Sequence, residues 1–177
     1  MRAFEPTPST RDLALKNISR FSQVQVHPHA AWSSATRLTF TDYGLTWMAF
    51  NSFTNARMPS DRQLSGRPFS VETTTVDALR KDLGRPISLL KIDAESAEEH
   101  ILQGSEETIA RDHPIISLEV GDSGAPGTSV RLIEFLKDRG YAPWECTLVG
   151  LKRHKQKTTY EYDNLIFADQ SLDLSTL

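Results

Sequence analysis

Residues 89–104 read LLKIDAESAEEHILQG and set Asp93, Glu95, Glu98 and Glu99 within seven residues, directly behind an apolar run. Carboxylates crowded at the mouth of a buried strand repel one another and lose hydration, so stability alone does not select them. Two further acids stand in comparable places: RAFE ends at Glu5, and IISLEV carries Glu119 at its end. In open α/β sheets, ligands bind outside the carboxyl ends of the parallel strands. A single strand-end acid serves equally well as a helix cap or a solvated group. Three such positions on successive strands (Glu5, Asp93 with Glu95, and Glu119) suggest a site for a ligand with hydroxyl or cationic groups. An acid closing the second strand of a nucleotide-binding half accepts hydrogen bonds from ribose hydroxyls. Glu5 suits that role, because Pro6 restricts it to extended conformations.

The elements that must position these groups alternate between short apolar runs and amphipathic stretches, the pattern of an α/β protein. MRAF is a short strand. PSTRDLALKNISRF is a helix capped by Ser9 or Thr10, with Leu13, Leu15, Ile18 and Phe21 on its apolar side. VQVH, RLTF and LTWMAF are strands, and residues 42–68 form an irregular, lid-like excursion broken by Pro59, Gly66 and Pro68. SVETTTVDALRKDLG is a strand running into a helix that stops at Gly84. ISLLKIDA has the continuous apolar run expected when both sheet faces are covered. AEEHILQGSEETIARD is one helix or two, interrupted at Gly104, and PIISLEV is a second buried strand. VRLIEFLKDRG is an amphipathic helix with Leu132, Ile133, Phe135 and Leu136 inward. YAPWECTLVG and DNLIFAD are strands flanking the basic segment LKRHKQK, read as a solvated hairpin.

Composition narrows the class. The chain has 177 residues, 38% hydrophobic and 24% charged, enough for one domain with its own core and without an internal linker or repeat. A net charge of −3 argues against a nucleic-acid binder. Cys146 is the single cysteine, which excludes an internal disulfide and fits a reducing compartment. No run approaches the roughly 18 apolar residues of a membrane helix, and the N-terminal residues lack a signal core, so a cytoplasmic protein without a membrane partner is expected. The five histidines, HPHA at 27–30 included, show no metal-ligand spacing, and no metal is expected.

LLKIDAESAEEHILQGSEETI resembles the signature of FkbM-type methyltransferases, KID-x-EG-x-E-x-x-x-L-x-G. AFEPTPSTRDLALKNI, VETTTVDAL, SLEV and DNLIFAD resemble flanking segments of the same family, in the same order. The likeness spans nearly the whole chain apart from the excursion. It implies a class I methyltransferase-like (Rossmann-like) fold, a mostly parallel sheet with helices on both faces. It also implies S-adenosylmethionine as methyl donor and, as acceptor, a hydroxyl on a sugar, polyketide or other small metabolite. By position, Glu5 and Pro6 would meet the cofactor ribose. Asp93, Glu95 and Glu98 would stand near the transferred methyl and the acceptor, with Asp93 the first candidate base and Glu95 the second. Glu99 reads as favouring the start of the following helix. Trp47, beside the excursion, and Glu119 are candidates for the acceptor side.

The sequence departs from the family pattern in three places. Ser96 replaces the signature glycine, which matters if that position needs a positive φ. Ser33 and Ser34 stand where an acid often meets the adenine, leaving backbone amides and stacking to hold the base. The first strand-turn-helix unit, with its glycine-rich turn, is lacking, since no glycine precedes Gly44. A longer parent chain, direct pairing of the second and fourth strands, or strand donation within a homodimer would each account for this. A catalytically silent binding or assembly protein, and a sugar-nucleotide-binding module, are the rival functions.

Overall fold

The computed structural model describes residues 1–53, 65–122 and 126–175. The chain forms two compact units: Met1–Ala78 with Glu95–Gly104, and Leu79–Ala94 with Ser105–Leu177.

In the first unit, β1 (Arg2–Phe4) pairs in parallel with β2 (Gln25–His27), placing Phe4 opposite His27. Parallel pairing requires a crossover, supplied by α1 (Pro8–Ile18). Thr7 is the N-cap and Pro8 the first helical residue, where its fixed φ suits the helix and its missing N–H costs nothing. The helix therefore starts before Ser9 and Thr10. The expected apolar side of α1 is not buried: Leu13, Leu15 and Phe21 are 40%, 46% and 41% exposed. Leu13 and Leu15 are two residues apart, and residues so spaced do not share a helix face.

β3 (Ala30–Ala31) runs parallel to β5 (Arg67–Thr74), and β4 (Arg37–Asp42) lies antiparallel to β5 on its other side. Ala30, Phe40 and Val71 form the core here, with Phe53 and Phe69 packed against it. LTWMAF is a 3₁₀ helix over Leu45–Phe50 and not a strand. Gly44, at φ 78°, turns the chain into it, a conformation glycine adopts without penalty. Of the 42–68 excursion, residues 54–64 lie outside the described residues. α2 (Val76–Leu83) follows, its first turn satisfied by the Thr75 hydroxyl, which accepts the Ala78 N–H at 3.0 Å.

The second unit is built on β6 (Leu89–Ile92), β7 (Ile115–Val120), β8 (Tyr141–Thr147), β9 (Gly150–Arg153) and β10 (Asp163–Asp169), in the order β6-β7-β10-β8-β9. The connection from β6 to β7 holds α3 (Glu98–Gln103) and α4 (Glu106–Asp112), two helices broken at Gly104 as expected. That crossover makes β6 and β7 parallel, with Ile92 opposite Leu118. α5 (Thr128–Lys137) buries Leu132, Ile133 and Leu136. Ile116, Leu118, Trp144, Leu165 and Phe167 complete the core.

The fold is α/β, as expected, but its sheets are mixed and not mostly parallel. Among the described residues β1/β2, β3/β5 and β6/β7 are parallel pairs, while β4/β5, β7/β10, β10/β8 and β8/β9 are antiparallel. The β8–β9 turn shows why: its two residues, Leu148 and Val149, can only return the chain antiparallel. The apolar run of β6 is also not covered on both faces. β6 is an edge strand, Leu89 is 62% exposed and only Ile92 is buried. No helix among the described residues is long and apolar enough to cross a membrane.

Candidate active site

In the first unit the candidate residues begin where β1 ends. The Glu5 N–H donates to the His27 carbonyl at 3.0 Å, which carries the β1–β2 ladder one residue further and fixes the exit. The Glu5 carboxylate then turns to the start of α1, its Oε1 accepting the Thr7 N–H at 2.8 Å. Arg11 reaches back from the helix to the carbonyls of Glu5 and Pro6, both at 3.4 Å. Burial pushes the Glu5 carboxyl above its ordinary value. The Thr7 hydrogen bonds and the Arg11 charge oppose the shift, and the Asp42 carboxylate adds to it. The Glu5 carboxylate thus acts as a helix cap, held by both the N–H and the hydroxyl of Thr7. Thr7 is held in turn by Asn51, whose amide donates to its hydroxyl at 3.3 Å while Oδ1 accepts the Tyr43 N–H at 2.7 Å. Asp42 and Asn51 were not singled out from the sequence. Their closeness to Glu5 and Thr7 is non-local, and they lie at the edge of and within the excursion, where pattern is weakest.

Ser33 and Ser34 form a bend after β3, half-buried and exposed respectively. The Ser34 carbonyl accepts the Thr73 hydroxyl at 2.7 Å, and that hydroxyl also accepts the Thr36 N–H at 2.9 Å, so the bend is tied to β5. Trp32, just before it, stacks on His100 of α3 with ring centroids 3.8 Å apart and packs against Phe53 at 4.9 Å. Trp47 is half-buried at the irregular point of the 3₁₀ helix, where its φ is −122°.

Glu95 and Ser96 follow β6 in left-handed conformations, with φ of 49° and 78°. The Ser96 value is one that glycine adopts without penalty; the turn needs a positive φ, and here a serine adopts it. Glu98 is buried, 3% exposed, and its carboxylate accepts the Ser96 N–H at 3.3 Å. That bond braces the left-handed turn. Glu99 is exposed in the first turn of α3, beside the positive end of the helix dipole.

In the second unit Asp93 leaves β6 exposed, and its carboxylate pairs with Lys91, two residues earlier on the same strand face, at 2.5 Å. Because β6 and β7 are parallel with Ile92 opposite Leu118, the next residues, Asp93 and Glu119, stand side by side at their carboxyl ends. Carboxylate oxygens of the two lie within 4.8 Å. Such a pair can accept hydrogen bonds from ligand hydroxyls or share a hard cation. Two of the three strand-end acids are thus adjacent.

The family model described as Methyltransferase FkbM domain matches residues 2–143. The chain belongs to the FkbM methyltransferase family. No curated protein sequence matches it. Its fold is similar to the crystal structure of Methyltransferase FkbM from Methylobacillus flagellatus KT, with a TM-score of 0.53 and 14% identity. That match covers 94% of this chain and 36% of the crystallised one, so the FkbM chain described here spans about a third of that relative's length.

Proposed function

We propose that this FkbM methyltransferase uses S-adenosylmethionine to methylate a hydroxyl of a sugar, polyketide or other small metabolite, in a class I methyltransferase-like arrangement. The observation that carries the reading is the match of the FkbM domain over residues 2–143, which includes both the Glu5 stretch and the acidic signature. The geometry around Glu5 fits a ribose. A carboxylate anchored by the N–H and hydroxyl of Thr7 is held still, and its remaining lone pairs can accept a ligand hydroxyl. Asp42 nearby adds negative charge, which would repel a phosphate on that ribose. Ser33 and Ser34 are the residues offered to the adenine.

A sulfonium supplies an already reactive methyl group, so the protein's task is alignment and proton removal. Asp93 is the base in this reading. It is exposed, ends a parallel strand, and has Glu119 beside it to accept a second hydroxyl of the acceptor. Removal of the acceptor proton is worth roughly 10²–10⁴-fold. Lys91 pairs with the Asp93 carboxylate and orients it. Glu95 is the second candidate base. Glu98 supports the turn that aims Glu95, through its bond to Ser96. Trp47 is proposed to border the acceptor, and the cytoplasm is the proposed compartment.

The test is calorimetry of the folded chain with S-adenosylhomocysteine, repeated with Glu5→Ala, followed by methyl transfer to a panel of hydroxylated acceptors with Asp93→Asn. Binding that Glu5→Ala weakens at least tenfold, with transfer lost in Asp93→Asn, supports the reading. No heat at high micromolar ligand with a folded sample overturns it in favour of a silent binding or assembly role. Stabilisation by a nucleotide sugar and not by the methyl donor overturns it in favour of a sugar-nucleotide module.

A further inference from the structure

The β8–β9 turn presents two aliphatic side chains with no cover: Leu148 is 106% exposed and Val149 97%. Scattered exposed leucines are ordinary, but a consecutive pair at the tip of a hairpin is not how a solvated turn is built. The residues behind the tip have a second property. Residues 146–160 contain Lys152, Arg153, Lys155 and Lys157 and no aspartate or glutamate, in a chain whose net charge is −3. Lys157 is neutralised by Asp163 at 2.9 Å, but Lys152 and Lys155 have no ion-pair partner among the described residues. Arg153 lies over the Trp144 ring, 4.5 Å from its centroid. Lys152 and Arg153 also line an open groove of about 570 Å³, floored by Trp144 and closed on the other side by residues 170–175.

The hairpin is braced from within. His154, its side chain 1% exposed, meets the Glu145 carboxylate and the Tyr160 hydroxyl at 2.7 Å each. These contacts turn the Glu145 carboxylate inward and tie down the base of the hairpin, while Asp173 on the far wall of the groove faces Arg153 and leaves Lys152 and Lys155 as the cations behind the tip. A rigid tip carrying apolar side chains, with unpaired lysines behind it, matches the interfacial zone of a membrane: aliphatic groups enter at the level of the acyl boundary while cations remain among the phosphates. A two-residue tip is far smaller than the roughly 1,000 Å² that a stable protein interface buries, whereas two side chains suffice to enter a bilayer surface.

From these observations we infer that the Leu148–Val149 tip docks peripherally on an anionic lipid bilayer, with Lys152 and Lys155 on the headgroup phosphates. The inference does not depend on the methyl-transfer reading. It goes beyond the expectation of no membrane partner, which rested on the lack of a spanning helix.

The experiment is co-sedimentation of the unlabelled chain with phosphatidylcholine vesicles and with vesicles holding roughly 30% phosphatidylserine. The exposed Cys146, two residues from the tip, carries an environment-sensitive dye in a parallel titration. Binding is expected to the anionic vesicles at least fivefold above the neutral ones, with a blue-shifted dye. Lys152→Ala and Lys155→Ala should each weaken it about fivefold. The double variant Leu148→Ser/Val149→Ser should reduce it to the neutral-vesicle level without changing the thermal midpoint, since neither side chain packs against anything. Equal binding to both vesicle types, no binding, or binding that survives the double variant overturns the proposal. So does a doubling of mass in lipid-free solution that the double variant abolishes, because the tip is then covered by a second copy.

Discussion

Replacing Gly104 by alanine adds one methyl group against the backbone of Trp32. A Cβ at this position would lie less than 3.0 Å from the Trp32 carbonyl oxygen, 3.0 Å from its carbonyl carbon and 3.2 Å from Cα of Ser33. All three are main-chain atoms, so no rotamer change relieves the clash, and the backbones must separate by something on the order of an ångström. Both sides are held. The Trp32 N–H donates to Thr74 at 2.8 Å, its ring lies on His100 one helical turn before Gly104, and the Gly104 carbonyl accepts the Asp77 N–H at 3.1 Å. Weakening one such hydrogen bond costs about 1 kcal/mol, disturbing the stack about as much again, and overpacking itself runs about 1–3 kcal/mol. Gly104 has φ −77°, which alanine adopts freely, so nothing in the loss is conformational and better helix propensity returns under about 1 kcal/mol. The expected loss is about 2–5 kcal/mol, or a fall of roughly 5–15 °C in the thermal midpoint of a chain this size. Urea melts followed by tryptophan fluorescence measure it, with Gly44→Ala as control. Gly44 has open space but a φ of 78°, so it should lose only about 1 kcal/mol. A Gly104→Ala protein within about 0.5 kcal/mol of wild type refutes the close-approach argument.

Ser96→Gly should stabilise the chain by about 0.5–1 kcal/mol, the left-handed strain relieved less the entropy glycine adds to the unfolded chain; a lower urea midpoint would contradict this. Glu5→Gln should gain on wild type as pH rises. Burial raises the Glu5 pKa, so its favourable contribution is complete below the unfolded value of 4.5 and is lost as pH climbs through the folded one, while glutamine does not titrate. Melts of both proteins from pH 4 to pH 7 would show a constant difference if this is wrong. Tyr141, 2% exposed, has its phenol pushed up to about 12 by burial. Stability should therefore be full below pH 10 and fall as pH rises towards 12, with ultraviolet titration showing late ionisation. Normal titration near pH 10 in the folded protein would disprove its burial.

Much of the site was readable because its signals are local. Acid after an apolar run marks the strand ends at Glu5, Asp93 and Glu119, and the order of motifs carries the family likeness. The glycine position at Ser96 was legible as a backbone requirement, and its φ of 78° bears that out. The role of Glu98 was not, since a buried carboxylate bracing the Ser96 amide looks in sequence like any acid at a helix start. LTWMAF has strand-like composition, yet Gly44 and the short reach to Asn51 wind it into a 3₁₀ helix. The stripe assigned to α1 is not buried: Leu13 is out of phase with Leu15 and Ile18, and the helix ends before Phe21.

By sequence alone the chain is an α/β protein of the FkbM type with acids at its strand ends, since periodicity, capping residues and motif order are properties of neighbouring residues. Which strands meet was decided only in three dimensions. The last strand, β10, enters between β7 and β8 and sets Leu165 beside Leu118, and β6 is left as an edge with Leu89 in water. Strand pairing depends on closing long loops and filling a shared core, and neither leaves a mark within any one strand.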